Sequence, residues 1–314
     1  MRAVDGTRPR LIPLAALRRH NDVVDSFLST PRAVVSFIVL LALVLAAVFA
    51  PLIAPHDPFD MSAISLADSE LPPAFIEGGR ALFPLGTDSQ GRDVLSSILY
   101  GLRLSLLVGG IAVLLSLMVG VLIGLIAGQA GGMIDAALMR LADIILSFPT
   151  IMIALLVNGI IRGMLPESQS AIIAVLVLVL SIAINEWVQY ARTVRGSVMV
   201  EKDKDYVKAA RLLGLPTWRI LLRHILPNIL SPIVVLATIS LSMAILTEAT
   251  LSFLGVGMPP TEPSLGTLIR VGNNYLFSGI WWVVIFPSLT LVMLVLSSNV
   301  LGDWLRDALN PQLR

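Results

Sequence analysis

Few side chains in this 314-residue chain could do chemistry, and most of those stand at or inside apolar runs. Glu248 lies deep in the stretch Ile229–Leu254, where a lipid-facing carboxylate would be expensive. It must face protein or a wet pathway, either bonding a neighbouring helix or touching whatever passes. Arg140 and Asp143 stand one helical turn apart beside the run Ile144–Ile161, and the expectation is a mutual pair at the mouth of such a pathway. Gly86-x4-Gly91-Arg92-Asp93 has the glycine spacing of a phosphate loop. That loop needs Lys for the phosphates and Ser or Thr for magnesium, between a strand and a helix. Arg92 and Asp93 occupy those places here, and no Gly-Lys pair occurs anywhere. There is no cysteine, and His20, His56 and His224 are dispersed, so neither a metal centre nor a catalytic constellation is expected.

The remaining candidate is a charged island, Asp203–Asn228, reading DKDYVKAARLLGLPTWRILLRHILPN. Tyr206, Ala209, Ala210 and Leu213 fall at i, i+3, i+4 and i+7, one stripe of a short helix. Asp203 and Asp205 suit its start and Gly214 its left-handed stop. Pro216 sits where a second helix begins, in which Trp218, Leu221, Leu222 and Ile225 form another stripe beside Arg219 and Arg223. Outside a bilayer such stripes call for a protein partner, and the paired alanines would let it approach the backbone. The competing reading is an amphipathic segment lying on lipid, drawn there by its basic residues.

The elements that hold these residues are membrane helices. The chain is 56% hydrophobic and 14% charged, with mean hydropathy +0.87, against about 25% charge in ordinary soluble domains. Its net charge of +1 and lack of a basic block give no reason to expect nucleic acid. Six spans are readable: Ala33–Ala54, Ser105–Ala127, Ile144–Ile161, Ala171–Ile184, Ile229–Leu254 and Trp281–Leu301. The first is too long, and too far from the start, for a cleaved signal, so it is expected to stay in the membrane. Pro149 should kink the third. Ser116, Gly120, Gly124 and Gly128 leave one face of the second without bulk, the pattern of a close helix–helix contact. Trp187 and Trp304 at one end, and Trp281 and Trp282 at the other, fit aromatic belts. Sixteen Lys and Arg fall in the two tails and the Asp203 loop, against four in the opposite loops. Both termini and the Asp203 loop are therefore expected in the cytoplasm, with the segment from His56 to Tyr100 outside.

The order Ala209-Ala210, Gly214, Leu226-Pro227 resembles the EAA loop of ABC-importer permeases. Further motifs are similar to the dipeptide, oligopeptide and nickel group, and within it to the C-type subunit. They are Leu85–Asp88 with Gly91–Asp93, Arg140–Pro149, Glu248–Gly255 and Leu301–Pro311. The resemblance implies an all-α, type I ABC-importer permease fold with six transmembrane helices. Residues 33–54 would be an accessory helix, 55–100 an extracytoplasmic loop, and 101–304 the core, with a coupling loop at 191–227. Tails 1–32 and 305–314 would be cytoplasmic. It implies a second, homologous permease, two ATP-binding subunits that carry the ATP and magnesium, and an extracytoplasmic binding protein, with no cofactor on this chain and lipid around it. Asp205, Tyr206, Lys208, Ala209, Ala210, Gly214, Trp218, Leu226 and Pro227 would form the ATPase-coupling loop, and Glu248, Asp143 and Arg140 would be candidates for the translocation pathway. Two positions depart from the family pattern: Lys208 stands where Glu is usual, and Pro263-Ser264-Leu265 lacks the usual Trp before Gly266. Short peptides are the first expectation for cargo, then nickel chelates or glutathione-like solutes. A stand-alone secondary transporter or channel is the rival, without the duplicated halves or paired broken helices that would favour it.

Overall fold

The computed structural model describes residues 25–60, 65–164 and 171–309. Most of the N-terminal tail and the end of the C-terminal tail lie outside these. Helix α1 (Pro31–Val48) starts on a proline, whose missing N–H costs nothing in a first turn. It breaks at Phe49 before one further turn, Ala50–Ile53. The segment leading to α2 (Val94–Ala130) is irregular but tightly held. Asp93 caps α2, accepting the Ser96 N–H at 2.9 Å. Gly86 and Gly91, both with φ near +80°, turn the chain so that Asp88 and Arg92 pair while buried. Arg92 also donates to the Pro260 carbonyl at 2.9 Å, and the Trp282 indole donates to the Thr87 carbonyl at 3.0 Å. The glycine pattern that imitates a phosphate loop is thus a helix-capping turn.

Between α2 and α5 (Ala171–Glu201) lies a seam made by the small-residue stripe. A Cβ on Gly120 would stand 2.5 Å from the Trp187 carbonyl, one on Gly124 2.7 Å from the Ala191 carbonyl, and one on Gly128 3.0 Å from the Arg195 carbonyl. Ser116 turns its hydroxyl back onto the Ala112 carbonyl at 2.7 Å, which leaves the face smooth. Residue numbers rise together across the seam, so α2 and α5 run parallel. The chain must therefore recross the membrane between them.

It does so differently from the expected kinked span. Two helices, α3 (Gly132–Leu146) and α4 (Thr150–Met164), meet at 90°. Pro149 begins α4 instead of bending a helix that passes through it, because a proline disfavours helical backbone in the residue before it and loses nothing at a helix start. The bent pair counts as at most one span, and α4 alone, about 22 Å long at 1.5 Å per residue, is shorter than a bilayer core of about 30 Å. It packs on α5, with the Asn185 amide bonded to the Thr150 hydroxyl. Helix α3 lies across the end of the bundle.

Helices α6 (Asp205–Leu212) and α7 (Thr217–Ile220) follow α5. A π turn at Leu221–Ile225 and a 3-10 turn at Leu226–Ile229 lead into α8 (Leu230–Phe253). Thr217–Phe253 is one helical rod of 37 residues. Helix α9 (Leu265–Asn273) re-enters the bundle at the far end, and α10 (Trp282–Leu309) returns along α8 and α1. Among the described residues, five helices are long and apolar enough to span a membrane, six with the bent pair. The aromatic-belt reading holds poorly, because Trp187 and Trp282 are buried among helices.

Candidate functional site

The charged island forms a hairpin of two short helices folded against its own chain. Helix α6 ends in a Schellman turn: Leu215 N–H donates to the Ala210 carbonyl at 3.2 Å and Gly214 N–H to the Arg211 carbonyl at 2.9 Å. Gly214 takes the left-handed φ of +75° that this closure needs. Val207 and Ala210 point inward, joining Ile220, Ile225, Ile229, Val194, Val198 and Leu125 in one buried cluster. The stripe therefore divides. Ala210 is consumed by the chain's own packing, Ala209 and Leu213 face outward, and Tyr206 lies at the surface with its hydroxyl turned in to Glu201. Leu212 and Leu213 are 90% and 81% exposed, and Trp218 and Leu222 stand exposed on the second helix, where Ile225 turns in. Arg219 lies 5.4 Å over the Trp218 ring.

A carboxylate that the sequence does not single out closes the hairpin. Glu201, at the end of α5, accepts from the Lys204 ammonium and from the Tyr206 hydroxyl, both at 2.7 Å. The Asn228 amide donates to Tyr206 Oη at 3.1 Å. The bond to Glu201 raises the Lys204 pKa, and burial followed by that same bond raises the Tyr206 pKa. Lys202 donates to the Gly128 carbonyl at 2.9 Å, tying the end of α2 to the same corner. Lys208 is exposed, with Asp205 3.6 Å away as a loose surface partner. Leu226 is half-buried and Pro227 exposed on the 3-10 turn. Pro227 cannot donate a backbone bond, which accounts for the switch from π to 3-10 winding there.

Arg140 and Asp143 are not a mutual pair. Asp143 accepts from Arg192 of α5 at 2.7 Å, and Asp135 accepts two bonds from Arg195. These two bridges fasten α3 crosswise to α5, while Arg140 points outward. Helical spacing makes Arg140 and Asp143 neighbours, but an i,i+3 pair within α3 loses to a partner on the helix it must dock against.

Glu248 is 0% exposed and lies toward the α9 end of α8. Ser105 of α2 and Ser252 of α8 each donate a hydroxyl to it at 2.7 Å. It faces protein within this chain, not an open path. No group of three or more His, Cys, Asp or Glu able to hold a metal occurs among the described residues.

Sequence comparison gives the class of this bundle of apolar helices with one charged hairpin at its end. Residues 120–314 match the family of binding-protein-dependent transport system inner membrane components, and residues 21–73 match the N-terminal transmembrane domain of oligopeptide transport permease C. The chain belongs to this family of membrane permease subunits of ABC transporters. It is 40% identical to the di/tripeptide transport system permease protein DppC of Pseudomonas aeruginosa, over 92% of this chain and 91% of that one. It is 42% identical to the dipeptide transport system permease protein DppC of Escherichia coli K12, over 90% and 89%. Among solved structures, the MetNI methionine ABC transporter in an inward-facing conformation shares the fold, with a TM-score of 0.51 at 22% identity over 69% of this chain and 96% of that one.

Proposed function

We propose that this chain is one membrane half of an importer of short peptides, and that the α6–α7 hairpin is where ATP-binding subunits take hold. The observation that carries the reading is the division of the hairpin. Its inner face is fixed to α5 and α8, while Leu212, Leu213, Trp218 and Leu222 project from the bundle beside Lys208 and Arg211. A polar-rimmed apolar patch of this kind suits a protein interface. The second permease supplies the other half of the pathway, and a binding protein delivers cargo on the opposite face. Both termini and the hairpin lie in the cytoplasm, with residues 55–93 outside. Push or pull on the hairpin travels along the rod Thr217–Phe253, and α2 and α5, locked at their seam, move with it as one body. Short peptides are the cargo by likeness to the named relatives.

The test is reconstitution in liposomes with the permease, ATPase and binding-protein products of adjacent genes. ATP-dependent uptake of a labelled dipeptide is expected, and none without ATPase subunits. Uptake by the chain alone would make it a stand-alone carrier. Preference for a nickel chelate or glutathione would keep the machinery and replace the cargo.

A further inference from the structure

Glu248 does more than fill space between helices. Each serine that donates to it also accepts a backbone N–H from the segment beyond α8. Leu265 N–H, at the start of α9, donates to Ser105 Oγ at 3.3 Å, and Met258 N–H donates to Ser252 Oγ at 3.5 Å. One carboxylate thereby orients two hydroxyls, and the two hydroxyls hold the ends of the connection that brings α9 back into the bundle. The rest of the junction is as close. A Cβ on Gly266 would stand 2.4 Å from the Ala249 carbonyl, and one on Gly257 would run into Ser252. Thr267 Oγ1 donates to the Met258 carbonyl at 3.1 Å. Ser105, Ser252, Ser264 and Thr267 are all buried, so no water competes for these bonds at the surface.

We propose that Glu248 is a positioning residue that fastens α9 to α2 and α8, so that α9 travels with the rod running from the hairpin. The carboxylate acts through Ser105 and Ser252, and touches no cargo. A carboxyl group suits the task because its two oxygens each accept one serine hydroxyl, which leaves the serine lone pairs to take the backbone N–H groups. Helix α9 is nine residues long and is followed by an exposed edge at Asn273, Asn274 and Phe277. Fastened in this way, that edge becomes the far end of a lever whose near end is α7.

The inference rests on the importer reading only for the source of motion, and the experiment keeps the two apart. The chain has no cysteine, so Asn273→Cys on α9 and Phe253→Cys at the end of α8 give a clean spin-label pair in a transporter assembled with cysteine-free partner subunits. The distance distribution between them should be narrow and the same with and without ATP. Ser105→Ala, Ser252→Ala and Glu248→Gln should each broaden it, while a second pair spanning α8 and a labelled ATPase subunit keeps its ATP response. Should Glu248→Gln fail to assemble, the two serine variants remove one bond each and read the same cage. A distance that changes with ATP in the otherwise unaltered chain, or one that stays narrow in the serine variants, overturns the proposal. Loss of uptake in Glu248→Gln with the narrow distance intact also overturns it, because the carboxyl would then serve transport without fastening α9. Absence of any ATP response in the second pair sinks the importer reading instead.

Discussion

Val207→Ala tests the two-faced hairpin most directly. Val207 is fully buried, and the change deletes two methyl groups from its contact with the α5 and α8 side chains. Transfer alone is worth about 1.6 kcal/mol at ~0.8 kcal/mol per group. A residual cavity of about 50 Å3 adds roughly 1 kcal/mol at ~24 cal/mol per Å3. Undocking of α6 should then become easier by roughly 2–3 kcal/mol, or about 30- to 160-fold in the population of the open hairpin. Amide hydrogen exchange on the chain in nanodiscs reads this: residues 207–215 should lose protection by that factor while α2 and α5 keep theirs. Leu213→Ala is the matched control. It removes more apolar surface, but from an exposed position, so exchange should stay as it was and only ATPase binding should weaken, by about 10-fold or more. Unchanged exchange in Val207→Ala, or deprotection in Leu213→Ala, would refute the assignment of faces.

Gly124→Val should prevent stable folding, seen as loss of a monodisperse detergent-solubilised species, whereas Gly110→Ala, with nothing within 4 Å of the new Cβ, should be silent. Lys208→Glu should alter ATPase affinity without touching thermal stability, because Lys208 is held only loosely by Asp205 on the surface; a change in melting temperature would show that the residue serves its own fold. Tyr206 and Lys204 both have raised pKa values in the folded hairpin, so their stabilising contribution is complete at neutral pH and is lost as pH rises through those values. Phenolate absorbance of Tyr206 should therefore appear at higher pH than that of an exposed tyrosine, and Glu201→Gln should lower it. For orientation, Ser69→Cys should react with an impermeant reagent outside intact cells and Thr217→Cys should not; the reverse would invert the topology.

The spans and the close contact along α2 were legible because each rests on a strong one-dimensional signal, an unbroken apolar run or a four-residue spacing of small residues. The break at Pro149 was not. A proline in a run reads alike whether the helix continues through it or starts on it, and only the docking of α3 through Asp135 and Asp143 decides. Polar residues at 135, 140 and 143 upstream were the available sign that this stretch lies at a boundary. In the hairpin, apolar residues surround α6, so sequence periodicity could not tell Val207 from Tyr206 as the inward position. Glu201 escaped notice because a carboxylate at a helix end looks like a solvated one until Tyr206 and Asn228 are folded around it. That Glu248 faces protein could be argued from the cost of charge in lipid, but its partner Ser105 lies 143 residues away.

The glycine seam also constrains how the chain can change by mutation. The atoms facing Gly120, Gly124 and Gly128 include carbonyl oxygens of α5, and a carbonyl cannot be trimmed by substituting the residue that bears it. A strain carrying Gly124→Ala should therefore yield no compensating change that works by shortening an α5 side chain at residues 187–198. Revertants should instead restore the glycine, or arise at sites that let α5 shift as a whole. These include the anchors at its end, Asp135, Arg195 and Lys202. A suppressor screen on this chain is in effect a map of what holds α5 in place.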